Sequence, residues 1–74
     1  MEQKSVLRLV ELERDSQDIK WGSPWSRPEV PWLAILTEEI GEVGTAIQNN
    51  DEKNLKNELV QVAAVAVAWL ETMD

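Results

Sequence analysis

The chain has 74 residues, 14 acidic and 7 basic side chains for a net charge of −7, and neither Cys nor His. That length makes one small domain, and the acidic balance argues against a nucleic-acid binder, which needs a basic surface. A fold of this mass exposes roughly 4,600 Å² and buries only about 60% of its unfolded surface, so without a disulfide or a structural zinc the staple left is a second copy of the chain.

The opening MEQKSVLRLVELERD lacks the apolar run of a signal peptide. No stretch approaches the ~18 apolar residues of a membrane span, and absence of Cys fits a reducing cytosol, so a cytoplasmic protein is expected. Residues 5–20 read as a first helix, with Val6, Leu9, Val10, Leu12 and Ile19 on its apolar side. Ser5 is the expected N-cap and Gly22 the stop. Arg8 and Arg14 read as solvated residues within reach of Glu11 and Asp18. Residues 21–31, WGSPWSRPEVP, carry three prolines and form a loop or extended segment.

Pro31 suits the first turn of a second helix over 31–48, in which Leu36, Ile40, Val43 and Ile47 recur at steps of four, three and four. QNNDEKN breaks it, and Asn49, Asn50 or Asp51 can cap a third helix over 51–73. The core stripe of that helix is Leu55, Leu59, Val62, Ala66, Trp69 or Leu70, and Met73. From Val62 to Leu70, however, no face carries a polar or charged side chain. A helix apolar all round must be covered all round. The expected fold is therefore all-α, a small antiparallel bundle of about three helices over residues 1–74, completed as a homodimer or homotetramer.

Three glutamates, Glu38, Glu39 and Glu42, fall within five positions beside the second helix's apolar stripe. Like charges three or four apart on a helix repel by a few tenths of a kcal/mol. The third helix supplies a counterpart, Glu58-x-x-Gln61. Two such pairs on adjacent helices can converge on one point, and oxygen donors without nitrogen or sulfur suit Mg²⁺ or Mn²⁺. A solvated helix flank accounts for the same residues without any ion. A di-iron carboxylate bundle is disfavoured, because its Glu-x-x-His partners need histidine.

WLAILTEEIGEVGTAI followed by LKNELVQVAAVAVAWLE resembles the MazG-like all-α nucleoside triphosphate pyrophosphohydrolases, a superfamily that includes the dimeric dUTPases. The family signature is E-E-x-x-E on one helix and E-x-x-D on the next, and the resemblance extends over about residues 12–71. It implies Mg²⁺-dependent hydrolysis of a (deoxy)nucleoside triphosphate to the monophosphate and pyrophosphate. Position by position it implies metal ligation by Glu39, Glu42 and Glu58. Glu38 would bind a second ion or orient the attacking water, completing a catalytic set of Glu38, Glu39, Glu42 and Glu58. Gln61 stands where the family has Asp, so it offers an oxygen ligand without charge. Members commonly continue into a further helix with basic residues; here those contacts come from a neighbouring subunit or are missing. These two departures motivate the alternative of a non-catalytic relative that binds nucleotide or acts as an oligomeric interaction protein.

The remaining candidates face a substrate nucleotide. Lys20 can meet a phosphate, and Trp21 and Trp25 can stack on a base or simply pack. Trp32 and Trp69 read as core. Lys56, with Lys53, is a surface charge or a phosphate contact. Gln17 enters only because it resembles the family's first-helix polar position.

Overall fold

The computed structural model describes residues 1–22, 25 and 27–73. Three helices account for the regular structure: α1 (Gln3–Trp21), α2 (Trp32–Gln48) and α3 (Glu52–Leu70). Among the described residues there is no strand, and no helix is long and apolar enough to cross a membrane. The expected loop over 21–31 includes Ser23, Pro24 and Ser26, which lie outside the described residues, as does Asp74.

The helix ends follow from local chemistry, with three departures from the sequence reading. α1 begins two residues before Ser5, at Gln3, and its cap position, Glu2, makes no side-chain capping bond. Gly22 ends it with φ 82°, a left-handed backbone that a β-carbon would strain. Pro31 occupies the cap position of α2 rather than its first turn, and the ring of Trp32 is fixed by Nε1 donating to the carbonyl of Arg27 at 2.8 Å. α3 stops at Leu70, three residues short of Met73.

The α2–α3 turn is the tightest piece of the fold. Asn50 adopts φ 53°, its N–H bonds the Ile47 carbonyl at 3.1 Å, and the Asp51 N–H bonds Ala46 at 3.0 Å. This paired arrangement is a Schellman motif, with asparagine tolerating the left-handed position. Asp51 then caps α3 by accepting from the Asn54 N–H at 3.1 Å. One aspartate thus closes one helix and opens the next, which fixes how α2 and α3 face each other.

α3 is the central element and packs against both α1 and α2. Its buried face is Ala64, Val65 and Ala68, whose small side chains let Trp25 and Trp32 pack close, with Val30, Ile35, Leu36 and Trp69 around them. Trp32 is a core residue, and Trp69, half-buried, packs against that core.

The apolar stripes are a different matter. Val6, Leu12 and Ile19 on α1, Ile40 and Ile47 on α2, and Leu59 and Leu70 on α3 are all exposed, as is Met73. The side of α1 that packs carries Val10, Arg14 and Gln17. Arg14, expected to be solvated, is buried. Its guanidinium donates a fork to the Glu71 carboxylate, at 2.6 Å from Nε and 3.0 Å from Nη2, and further bonds reach Gln17 and Asp18 at 3.1 Å. This clamp ties the middle of α1 to the end of α3. Arg8 pairs with Glu11 on the surface.

Candidate metal centre

Glu39 and Glu42 are one turn apart on α2 and share a face. The tight turn brings that face against the first half of α3, where Glu58 meets it. One carboxylate oxygen from each of Glu39, Glu42 and Glu58 lies within 4.8 Å of the others. They open on a cleft of about 340 Å³ whose wall also includes Gln61 and, from α1, Glu13, Ser16, Lys20 and Trp21. α3 carries the floor, and α1 and α2 stand on either side of it.

The electrostatics are unfavourable for three bare carboxylates. Burial, followed by hydrogen bonding to Glu42 and the charge it carries, and then by Glu39, pushes the Glu58 carboxyl up to about 7. Glu39 is raised as well, first by burial and then by the Glu42 charge, with the Glu58 hydrogen bond working against the shift. Glu58 Oε2 is buried and has no hydrogen-bond partner. Such an oxygen is expensive to leave unsatisfied, at about 1–3 kcal/mol and more when charged. Within the cleft wall Lys20 is the one cationic residue among those described, and its ammonium sits over the Trp21 ring, 4.8 Å from the centroid.

A divalent cation answers these features together. At Mg–O distances of about 2.0–2.1 Å, oxygens on opposite sides of one ion stand about 4 Å apart, close to the separation observed. The donors are all oxygen, as a hard cation requires, and the Glu58 carboxylate, which carries the unpartnered Oε2, gains a partner. Glu39, Glu42 and Glu58 therefore fit such an ion, with the Gln61 amide oxygen one turn along.

The other residues singled out by sequence are placed unevenly. Lys20 and Trp21 line the cleft, Trp21 half-exposed. Glu38 is exposed and outside the three-carboxylate cluster; it borders a shallow depression with Leu33, Ala34 and Thr37. Trp25 is buried, with its ring 4.9 Å from Trp21 and 4.7 Å from Trp32, so packing describes it and no face is open to a base. Gln17 is 1% exposed and accepts from Arg14 within the core rather than lining the cleft. Lys56 faces two other grooves, between α1 and the start of α3, away from the carboxylates. Sequence reasoning missed Glu13 and Ser16. Their signal was present in the three-four spacing Glu13, Ser16, Lys20, which puts all three on one side of α1.

An all-α fold that gathers carboxylates from two adjacent helices at an open cleft belongs to the class of helical proteins with a candidate divalent-cation centre. The model of the MazG nucleotide pyrophosphohydrolase domain matches residues 29–72, more than half of the chain, and the chain belongs to that family. The match takes in α2, the turn and α3, and so all four residues Glu39, Glu42, Glu58 and Gln61; α1 lies outside it. No curated protein and no solved structure gives a significant match.

Proposed function

We propose that this chain is a Mg²⁺-dependent nucleoside triphosphate pyrophosphohydrolase, with Mn²⁺ able to substitute, whose site is the α2–α3 cleft. The observation that carries the reading is the convergence of Glu39, Glu42 and Glu58 within 4.8 Å, inside the segment matched by the family model. These three would hold the cation, with Gln61 as a neutral fourth oxygen. A bound cation supplies charge neutralisation for phosphate oxygens and acidifies water.

The chain's own residues do the rest. All three helices contribute to the cleft wall, and Lys20 leaves its seat over Trp21 to meet the phosphate chain. The indole of Trp21 then offers a half-open face to a base. Glu38, which the family resemblance assigns to orienting the attacking water, stands outside the cleft lining, so it would have to act from beyond the three-carboxylate cluster. In the reaction that water attacks the α-phosphorus, the bond from this phosphorus to the α–β bridging oxygen breaks, pyrophosphate departs, and the water's proton passes to a carboxylate. Residues 1–74 act as one helical unit in this reading, since α1 supplies Glu13, Ser16, Lys20 and Trp21 to the cleft wall. A cytoplasmic setting, where Mg²⁺ nucleotides are plentiful, suits it.

Pyrophosphate release from a panel of (deoxy)nucleoside triphosphates with Mg²⁺ tests the proposal. Turnover is expected with at least one nucleotide, and Glu39→Gln should abolish it. No release at high enzyme concentration would sink catalysis. A second reading, nucleotide binding without hydrolysis, is favoured by the uncharged Gln61 and by the single cationic residue in the described cleft wall. Calorimetry showing Mg²⁺-dependent binding with no turnover selects it.

A further inference from the structure

The buried core holds no residue of α1. Trp25, Trp32, Val65 and Ala68 form it, with Val30, Ile35, Leu36 and Trp69 packed around them, so it belongs to α2, α3 and the segment that enters α2. α1 packs on α3 alone, and among the described residues it makes no helix contact with α2. Its seat consists of three buried side chains, Val10, Arg14 and Gln17, of which one is apolar. Towards the start of both helices the contact opens into grooves of about 410 and 600 Å³, which share Leu9, Lys56 and Val60.

Charge rather than apolar burial secures this seat. Arg14 forks onto Glu71, and it is the one cation lining a groove whose other charged residues are Glu11, Asp15, Asp18 and Glu71. Without it, acids of α1 would face Glu71 across the contact. Gln17 works against the seat, because its Nε2 is buried with no hydrogen-bond partner, a deficit that water removes once the helix lifts away. Gly22, with φ 82°, directly follows α1, and Trp25, three residues on, is held in the core.

We propose that α1 is a latched arm, which leaves α3 as one unit, turning at Gly22, while the α2–α3 core stays folded. Segments with few buried apolar contacts open at a lower free energy than the core that carries them. A detached helix of 19 residues is marginal in water, so leaving the seat and unravelling coincide. Glu13, Ser16, Lys20 and Trp21 all ride on α1, and its movement takes one wall of the carboxylate cleft with it. The arm thus gates the cleft. The inference holds whether or not the cleft is catalytic.

Amide hydrogen exchange on the full chain without ligand tests this. The interior amides of α1, through Lys20 and Trp21, should share one opening and exchange at least about 10-fold faster than those of Ala64, Val65 and Ala68 on α3. Graded exchange that stops short of Glu13 would be fraying of a fixed helix and overturns the proposal. Leu36→Ala weakens the α2–α3 core, which docked and open forms have in common. It should speed α3 exchange about 10-fold and leave α1 exchange unchanged; an equal rise in both would show a single cooperative unit and no arm. Arg14→Ala should speed α1 exchange by about 30-fold, the effect of losing hydrogen bonds to a charged group, and no change would refute the latch. The chain has no cysteine of its own, so Leu9→Cys and Val60→Cys can be joined across the groove by a short bifunctional maleimide. The joined protein should exchange α1 as slowly as α3, whereas unslowed exchange would refute the separation of the two helices.

Discussion

Glu58 is the residue at which stability and site chemistry meet, and Glu58→Gln separates them. The carboxyl titrates at about 7 in the fold against 4.5 for an ordinary glutamate. Between those values the folded protein binds more protons than the unfolded chain, so this group makes stability fall as pH rises through that window and adds nothing below it. At 1.36 kcal/mol per pH unit the full penalty at pH 8 would be about 3 kcal/mol. The cleft is open to water on one side, which screens the charge and reduces the figure to about 1–2 kcal/mol. Glutamine has the same shape, no charge, and an amide that can donate to Glu39 and Glu42. Glu58→Gln should therefore stabilise the metal-free protein by about 1–2 kcal/mol at pH 8, which for a chain of this length raises Tm by about 5–15 °C. It should change little at pH 4.5. Thermal melts by circular dichroism at both pH values, in chelator and then in millimolar Mg²⁺, read both halves. The wild type should gain stability from Mg²⁺ at pH 8, and the variant should gain much less. A variant destabilised at pH 8, or a wild type indifferent to Mg²⁺ there, would refute the idea that Glu58 is a strained carboxylate waiting for a cation.

Three further outcomes follow from other parts of the molecule. Gln61→Asp adds a carboxylate one turn from Glu58, beside the three-glutamate cluster, and should tighten Mg²⁺ binding about 10-fold in calorimetry, while lowering metal-free stability at pH 8 by about 1 kcal/mol; unchanged affinity would place residue 61 outside the ion's reach. Arg14→Ala removes the fork to Glu71 and the bonds to Gln17 and Asp18, and should cost about 2–3 kcal/mol in urea unfolding. Gly41→Ala meets nothing within 4 Å, so helix propensity alone should raise stability by about 0.5–1 kcal/mol.

The sequence reading succeeds where the signal is local. Gly22, the Asn50–Asp51 turn and the paired carboxylates were legible because each depends on a few neighbouring residues: a left-handed glycine, a capping aspartate, acids one turn apart. The stripes failed because periodicity shows that a helix is two-sided without showing what covers the apolar side. Leu36 and Val43 do turn inward, but Ile40 and Ile47 on the same stripe face outward, since the contact face of α2 is centred on Trp32, Ala46 and the carboxylates. Arg14 was misread for a related reason. An arginine looks solvated until its partner is known, and that partner, Glu71, is 57 positions away. Trp25 and Lys56 were ambiguous in the same sense, their roles depending on where the loop and the first helix settle.

These failures share a physical root with the site itself. A chain of this size is stable by about 4–11 kcal/mol at the usual 0.05–0.15 kcal/mol per residue, so a carboxylate penalty of 1–2 kcal/mol is a sizeable fraction of the whole. The chain also leaves apolar side chains in water on all three helices. Both deficits are of the kind that binding repairs. A cation that binds only the folded state stabilises it by about 2.7 kcal/mol at 100 times its dissociation constant, and any partner that covered exposed apolar side chains would act by the same mass action. The acidic cleft and the exposed Ile40 and Ile47 lie on different sides of α2, so cation binding and cover of those side chains should add rather than compete. Measured Tm in Mg²⁺ should then rise with protein concentration by the same increment as it does in chelator, whereas an increment that vanishes on adding Mg²⁺ would mean that cation and partner occupy one site.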